Sequence, residues 1–218
     1  LRRRRWFSTR DEVNLGHYLD LVALGTVADV VPLDRNNRIL VSAGLSRIRA
    51  GQARPGIRAL LDVAARRHSS VVAADLGFAV GPRINAAGRL DDMSIGLNCL
   101  MSDDYDKAAR LAARLQQLNQ DRRVIERGMQ DEAMQILARL SFGEENLPPV
   151  AMTLYQSGWH QGVIGILASR IKDRLHRPVI AFADGDTDQL KGSARSIPGI
   201  HIRDILDAVA TRHPGLIT

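Results

Sequence analysis

The most regular pattern of apolar and polar positions lies between residues 104 and 140. Ala108, Leu111, Leu115, Leu118, Ile125, Met129, Ala133, Ile136 and Leu140 recur at steps of three and four. Arg122 interrupts the stripe and Gly128 weakens it locally. This period predicts one amphipathic helix about 55 Å long at 1.5 Å per residue, a length that joins two bodies rather than sitting inside one. The glycine- and proline-containing stretch 142–149 then breaks it.

Upstream, Tyr18 to Leu33 is an almost unbroken apolar run. A helix ending near Gly25 and a buried strand both fit it, because a short apolar run carries no deciding period. Residues 34–66 predict two helices. Asp34, or Asn36 with Asn37, caps the first, with Ile39, Leu40, Ala43, Leu45 and Ile48 as its apolar positions and Gly51 beyond its end. Pro55 opens the second, through Ile57, Leu60, Leu61 and Ala64. Val71 to Val80 reads as a helix running into Gly81-Pro82-Arg83-Ile84-Asn85-Ala86-Ala87-Gly88-Arg89-Leu90-Asp91-Asp92. That segment suits a grip on a phosphate backbone. It equally suits a helix–turn–helix corner in which Asp91 or Asp92 caps a helix from Met93 to Met101.

Downstream the pattern changes to an α/β unit. Val150 to Tyr155 is a strand, and Gln161 to Leu175 a helix burying Val163, Ile164, Ile166, Leu167 and Ile171. Pro178 to Phe182 and Gln189 to Arg195 are two further strands, and His201 to Ala210 a last helix. The order strand, helix, strand, strand, helix implies a mixed sheet.

Composition adds less. The 218 residues, 45% hydrophobic and 25% charged, belong to a globular class with room for one or two domains. No apolar run approaches the roughly 20 residues of a membrane-spanning helix. The opening Leu1-Arg2-Arg3-Arg4-Arg5-Trp6-Phe7 has no apolar stretch resembling a secretory signal. It does not begin with Met, and the chain reads as an internal piece of a longer protein. The single cysteine, Cys99, reads as a buried inert thiol and excludes an internal disulfide, which fits a reducing cytoplasm. The net charge of +6 rests almost wholly on arginine, with lysine only at 107, 172 and 191. That balance points to polyanions, nucleic acid first. The Arg2–Arg5 run is either a phosphate contact or an exposed helix end.

Two stretches carry candidate chemistry. Lys191-Gly192-Ser193-Ala194-Arg195-Ser196 packs hydroxyls, a glycine and two cations between apolar runs. Gly192 allows close approach of the backbone, and Arg195 can hold a phosphate through two parallel bonds. Asp29 is set between Ala28 and Val30, where an unpaired carboxylate is costly to bury. From the residues alone it caps a turn before Pro32 or ligates a metal, with the cap favoured.

Four of these runs, in order and spanning nearly the whole chain, resemble the RecJ family of 5′-to-3′ single-strand-specific exonucleases within the DHH phosphoesterase superfamily. They are residues 20–33, residues 81–92, Trp159-His160-Gln161-Gly162-Val163-Ile164-Gly165 onward to Ile171, and residues 191–196. The resemblance implies an α/β protein with the C-terminal part of a DHH domain over 1–102. A long connector helix over 103–142 and the start of a mixed-sheet DHHA1 domain over 148–218 would follow. It implies two Mn2+ or Mg2+ ions that activate water and stabilise charge on a phosphodiester. Asp29 then resembles the family's late metal-ligating aspartate, which reverses the preference for a cap. Ser193 and Arg195 resemble its pocket for a 5′-terminal phosphate, with Arg83 reaching from the other domain and Asn85 and Arg89 also on DNA. His160, before a helix N-terminus, bonds a phosphate or orients its loop.

The resemblance also implies cytoplasmic single-stranded DNA with a 5′ end as partner, and repair proteins such as a helicase or single-strand-binding protein. The Asp-His-His triplet that names the superfamily is absent, so the other metal ligands are expected outside this piece. The piece alone is expected not to hydrolyse DNA. Alternatives are a relative cleaving short oligonucleotides or cyclic dinucleotides, and a non-catalytic nucleic-acid-binding relative. With aromatics at 4%, the chain offers few platforms on which bases could stack.

Overall fold

The computed structural model describes residues 14–139, 149–185 and 189–217, with side chains of 136–139 excepted. The Arg2–Arg5 run, Trp6 and Phe7, the last two stripe positions Ile136 (its side chain) and Leu140, and most of the break after them lie outside that set. The chain is mixed α/β, mostly helical, and divides into two compact units at Asn119/Gln120. Among the described residues no helix is long and apolar enough to cross a membrane.

The N-terminal unit is helical: α1 (Leu19–Ala28), α2 (Arg35–Arg49), α3 (Pro55–Val63), the single turn α4 (Ala73–Asp75), a π-helical turn (Leu76–Val80), α5 (Gly81–Leu90) and α6 (Ser94–Met101). Leu24, Leu45, Ile48, Ile57, Leu60, Leu61, Leu76, Val80 and Leu115 are among its core residues. The apolar run is thus a helix, and it passes Gly25, whose outward side meets open space. It stops at a Schellman motif: Val30 N–H reaches Val27 O (3.2 Å) and Val31 N–H reaches Thr26 O (3.1 Å). Val30 takes the left-handed φ of 55° that glycine usually supplies.

Asp34 caps α2, accepting from Asn37 N–H at 2.8 Å. The buried face of α2 differs from expectation. Val41, Gly44, Leu45 and Ile48 face in, whereas Ile39 and Leu40 are exposed. α2 carries two overlapping apolar stripes, and Gly44 selects between them by letting α1 approach. A Cβ there would lie 2.2 Å from Leu19 O. Asp92 caps α6, accepting from Ser94 N–H and Oγ, while Asp91 pairs with Arg114 at 2.8 Å. Burial pushes the Cys99 thiol up to about 11, so it stays protonated and inert.

The long helix is α7, Tyr105–Arg139. The polar interruption at Arg122 is resolved by an ion pair with Glu126 (2.7 Å), both side chains largely shielded, and Arg170 also approaches Glu126 at 3.4 Å.

The C-terminal unit contains β1 (Met152–Tyr155), α8 (Ile164–Leu175), β2 (Val179–Asp184), β3 (Leu190–Arg195) and α9 (Ile202–Arg212). β1 pairs parallel with β2, and β2 antiparallel with β3, giving the expected mixed sheet in the order β1-β2-β3. A parallel pair needs a crossover, and α8 provides it. It buries Ile164, Leu167, Ala168 and Ile171 beside Val163, while Ile166 is only half-buried and the helix starts three residues later than its sequence suggests.

Candidate functional site

In the C-terminal unit the chemistry gathers at the first turn of α8. A helix start leaves backbone N–H groups without intrahelical partners and carries positive partial charge. The carbonyl of His160 accepts from Val163 N–H (2.9 Å) and Ile164 N–H (3.3 Å). The Gly165 N–H has no hydrogen-bond partner among the described residues. β3 brings two side chains to the same place. Strand periodicity puts Ser193 and Arg195 on one face. Arg195 Nη1 donates to Ser193 Oγ (3.2 Å) and to Ala194 O (2.7 Å). A Cβ on Gly165 would lie 2.9 Å from both Ser193 Oγ and Arg195 Nη2. A hydroxyl, a guanidinium and a helix N-terminus therefore converge on a spot that only glycine leaves open, an arrangement suited to an anion.

Gly165 escapes the reading from sequence, although a glycine inside the apolar start of a helix is a recognisable signal. The sequence points to Gly192 for the close approach instead, and the structure corrects this. Gly192 pairs with Phe182 across the sheet, and a Cβ there would meet the Phe182 ring at 2.8 Å. It makes room for a ring, not for a ligand.

The loop between β1 and α8 is fixed at both ends. Asp184, at the end of β2, accepts from Tyr155 Oη (2.8 Å), Ser157 Oγ (3.1 Å) and Gly158 N–H (3.3 Å). These bonds, Tyr155 first, hold its carboxyl below the ordinary carboxylate range and push the Tyr155 phenol up. Trp159 is buried and donates from Nε1 to Glu132 at 2.7 Å. Between these anchors His160 Nδ1 accepts from Gly162 N–H (3.1 Å).

The remaining candidates belong to the N-terminal unit. Asp29 is exposed, so the expected cost of its burial does not arise. Its backbone N–H caps α1, reaching the carbonyls of Gly25 and Val27. The buried acid of this run is Asp20, which accepts from Leu21 N–H and Arg54 N–H, each at 2.8 Å. Because α1 is apolar on nearly every side, its period could not separate the two. The end of α1 meets the start of α5, where a Cβ on Gly81 would lie 3.3 Å from Ala28 Cβ. Asp29 thus stands beside the helix that carries Arg83, Asn85 and Arg89. Arg83 is half-buried and donates to Gln116 Oε1 (2.7 Å) and Ala79 O (2.6 Å), while Asn85 and Arg89 are exposed. Among the described residues no three His, Cys, Asp or Glu side chains form a cluster able to hold a metal ion. An exposed carboxylate such as Asp29 suits a hard divalent cation only as one ligand of several.

Residues 148–216 match the DHHA1 domain. The chain is 59% identical over 219 residues to the single-stranded-DNA-specific exonuclease RecJ of Dickeya dadantii (strain 3937), covering 100% of this chain and 38% of that protein. It is 56% identical to the protein of the same name from Escherichia coli (strain K12), with the same coverage. The chain thus spans about 38% of the length of these relatives. Among solved structures, RecJ from Thermus thermophilus in complex with Mg2+ matches with a TM-score of 0.76 and 34% identity, over 90% of this chain and 29% of that one. Exonuclease RecJ bound to manganese matches at 0.73 and 35%, over 88% of this chain and 46% of that one. Along its full length the chain is similar to these RecJ proteins, and it shares the fold of the solved ones.

Proposed function

We propose that this segment supplies the terminal-phosphate clamp of a metal-dependent 5′-to-3′ exonuclease acting on single-stranded DNA. The observation that carries the reading is the convergence of Ser193, Arg195 and the unpartnered Gly165 N–H at the start of α8. A strand's 5′-terminal phosphate is the dianionic, exposed group that such a clamp fits, and holding it would make degradation start from that end. Residues 1–102 would form the later part of a DHH domain, 103–142 the connector and 148–218 the first part of DHHA1. His160 positions the loop entering α8, and Arg83, Asn85 and Arg89 contact the strand.

Mn2+ or Mg2+, when bound, supplies the activated water and the charge stabilisation of phosphodiester hydrolysis. Asp29 would be one ligand, completed by carboxylates and histidines outside this segment. A reducing cytoplasm and partners that open or coat single strands go with this reading.

The test is Arg195→Ala in a protein of the relatives' full length that carries this chain. Removing the charge-assisted bonds should reduce the preference for a 5′-phosphate over a 5′-hydroxyl end by roughly tenfold or more. An unchanged preference would refute the clamp.

A further inference from the structure

The helical run from Ala73 to Leu90 has an outer face that the phosphate clamp does not use. Leu76, Ala79, Val80, Ala86 and Ala87 point into the core, and Ala74, Phe78, Asn85 and Arg89 are exposed, with half-buried Pro82 between them. Those five outer positions follow one another at steps of four, four, three and four, a single stripe along the run. Phe78 is its outlier. Its ring is 82% exposed, although phenylalanine is among the residues most often buried. It lies in the π-helical turn Leu76–Val80, an irregularity that re-aims side chains and concentrates at functional sites. From Phe78 to Arg89 the stripe runs roughly 16 Å at 1.5 Å per residue, enough for several nucleotides.

We propose that Phe78 is a base-stacking platform for a single strand, at the head of a stripe whose Asn85 and Arg89 meet the strand's backbone. Two observations favour this occupant over a protein partner. The same face ends in a cation, and the chain's net charge of +6 favours a polyanion. An exposed ring on a face that also carries a cation is the pairing by which proteins hold unpaired bases, whose faces a duplex hides. The proposal rests on the single-strand reading above and adds to it a cause of selectivity.

The experiment uses the full-length protein in EDTA, so that binding is read without cleavage. The probe is a fluorescent 5′-phosphorylated single strand, with the matching blunt duplex as control. Phe78→Ala should weaken single-strand affinity about tenfold, within the range of stacking losses, and leave duplex affinity unchanged. Phe78→Trp should keep wild-type affinity, and the strand should quench its indole emission by more than it quenches that of the wild type, which already holds Trp6 and Trp159. Phe78→Leu should be as weak as alanine. Full affinity in Phe78→Leu would identify a packing contact with another polypeptide segment and overturn the proposal. So would wild-type affinity in Phe78→Ala, or quenching in Phe78→Trp no larger than in the wild type. Because that emission is read on a variant that keeps an aromatic ring, it decides the question even if alanine perturbs folding. If Arg195→Ala loses its 5′-phosphate preference while Phe78 proves silent, the exonuclease reading stands and the platform falls.

Discussion

At the scale of single residues, two glycine-related positions make opposite predictions. Gly165 keeps the anion spot open against Ser193 Oγ and Arg195 Nη2. Alanine is the better helix former by up to about 1 kcal/mol, and the groups its methyl would displace are flexible side-chain ends. Gly165→Ala should therefore melt at or above the wild-type temperature. It should nevertheless bind 5′-phosphorylated strands about tenfold more weakly, the loss carried by one charge-assisted bond of roughly 1.5 kcal/mol. Reduced stability with intact phosphate binding would assign the glycine to packing alone. Val30 is the reverse case, a β-branched residue where glycine belongs. Its left-handed φ of 55° costs about 1–2 kcal/mol, and its side chain is 85% exposed, so little burial is forfeited by removing it. Val30→Gly should raise stability by about 0.5–1 kcal/mol after the added freedom of the unfolded chain is discounted. The measurement is a higher denaturation midpoint at unchanged slope. Strain kept beside Asp29 fits a turn shaped for something other than stability.

At the scale of elements, the period of α7, the cap at Asp34 and the mixed order of the three strands were legible, because each rests on local chemistry. The failures share a different cause. In α2 two apolar stripes overlap, and only the approach of α1 at Gly44 chooses between them. In α1 both acids interrupt an apolar run, and only tertiary contact buries Asp20 while exposing Asp29. Gly165 and Gly192 owe their different uses to the neighbours above them, Ser193 with Arg195 for the one and the Phe182 ring for the other. The clasp on the β1–α8 loop was invisible for the same reason, since Tyr155 and Asp184 are far apart in sequence. It gives a pH prediction. A carboxyl whose folded pKa lies below its ordinary value stabilises the fold above that value and loses the contribution as pH falls through the lower one. The Tyr155 ring resonances should therefore titrate with a midpoint below the ordinary carboxylate value of 3.8. In Asp184→Asn that transition should vanish. A midpoint at or above the ordinary value would mean that the clasp does not form in solution.

At the scale of the whole molecule, the proposed function raises the question of which of its many arginines would touch DNA. Net charge cannot answer it, since solvated cations add to the same total. Counterion release can. Each phosphate neutralised by a protein cation on a single strand contributes about 0.7 to the slope of log affinity against log salt. A cation further off than about 10 Å is largely screened near 0.1 M salt and contributes little. In the full-length protein, Arg195→Ala and Arg89→Ala should each flatten the slope by about 0.7, and together by about 1.4. Arg203, exposed on α9 and 3.9 Å from Asp207, supplies the control, and its replacement by alanine should leave the slope unchanged. The two site variants should also separate by substrate end. Loss of Arg195 should matter most on a 5′-phosphorylated strand, because the clamp reads that terminus. Loss of Arg89 should weaken phosphorylated and hydroxyl-ended strands alike, because a backbone contact carries no end information. If all three substitutions flatten the slope equally, the arginines act as a diffuse field, and neither the clamp nor the stripe is a site.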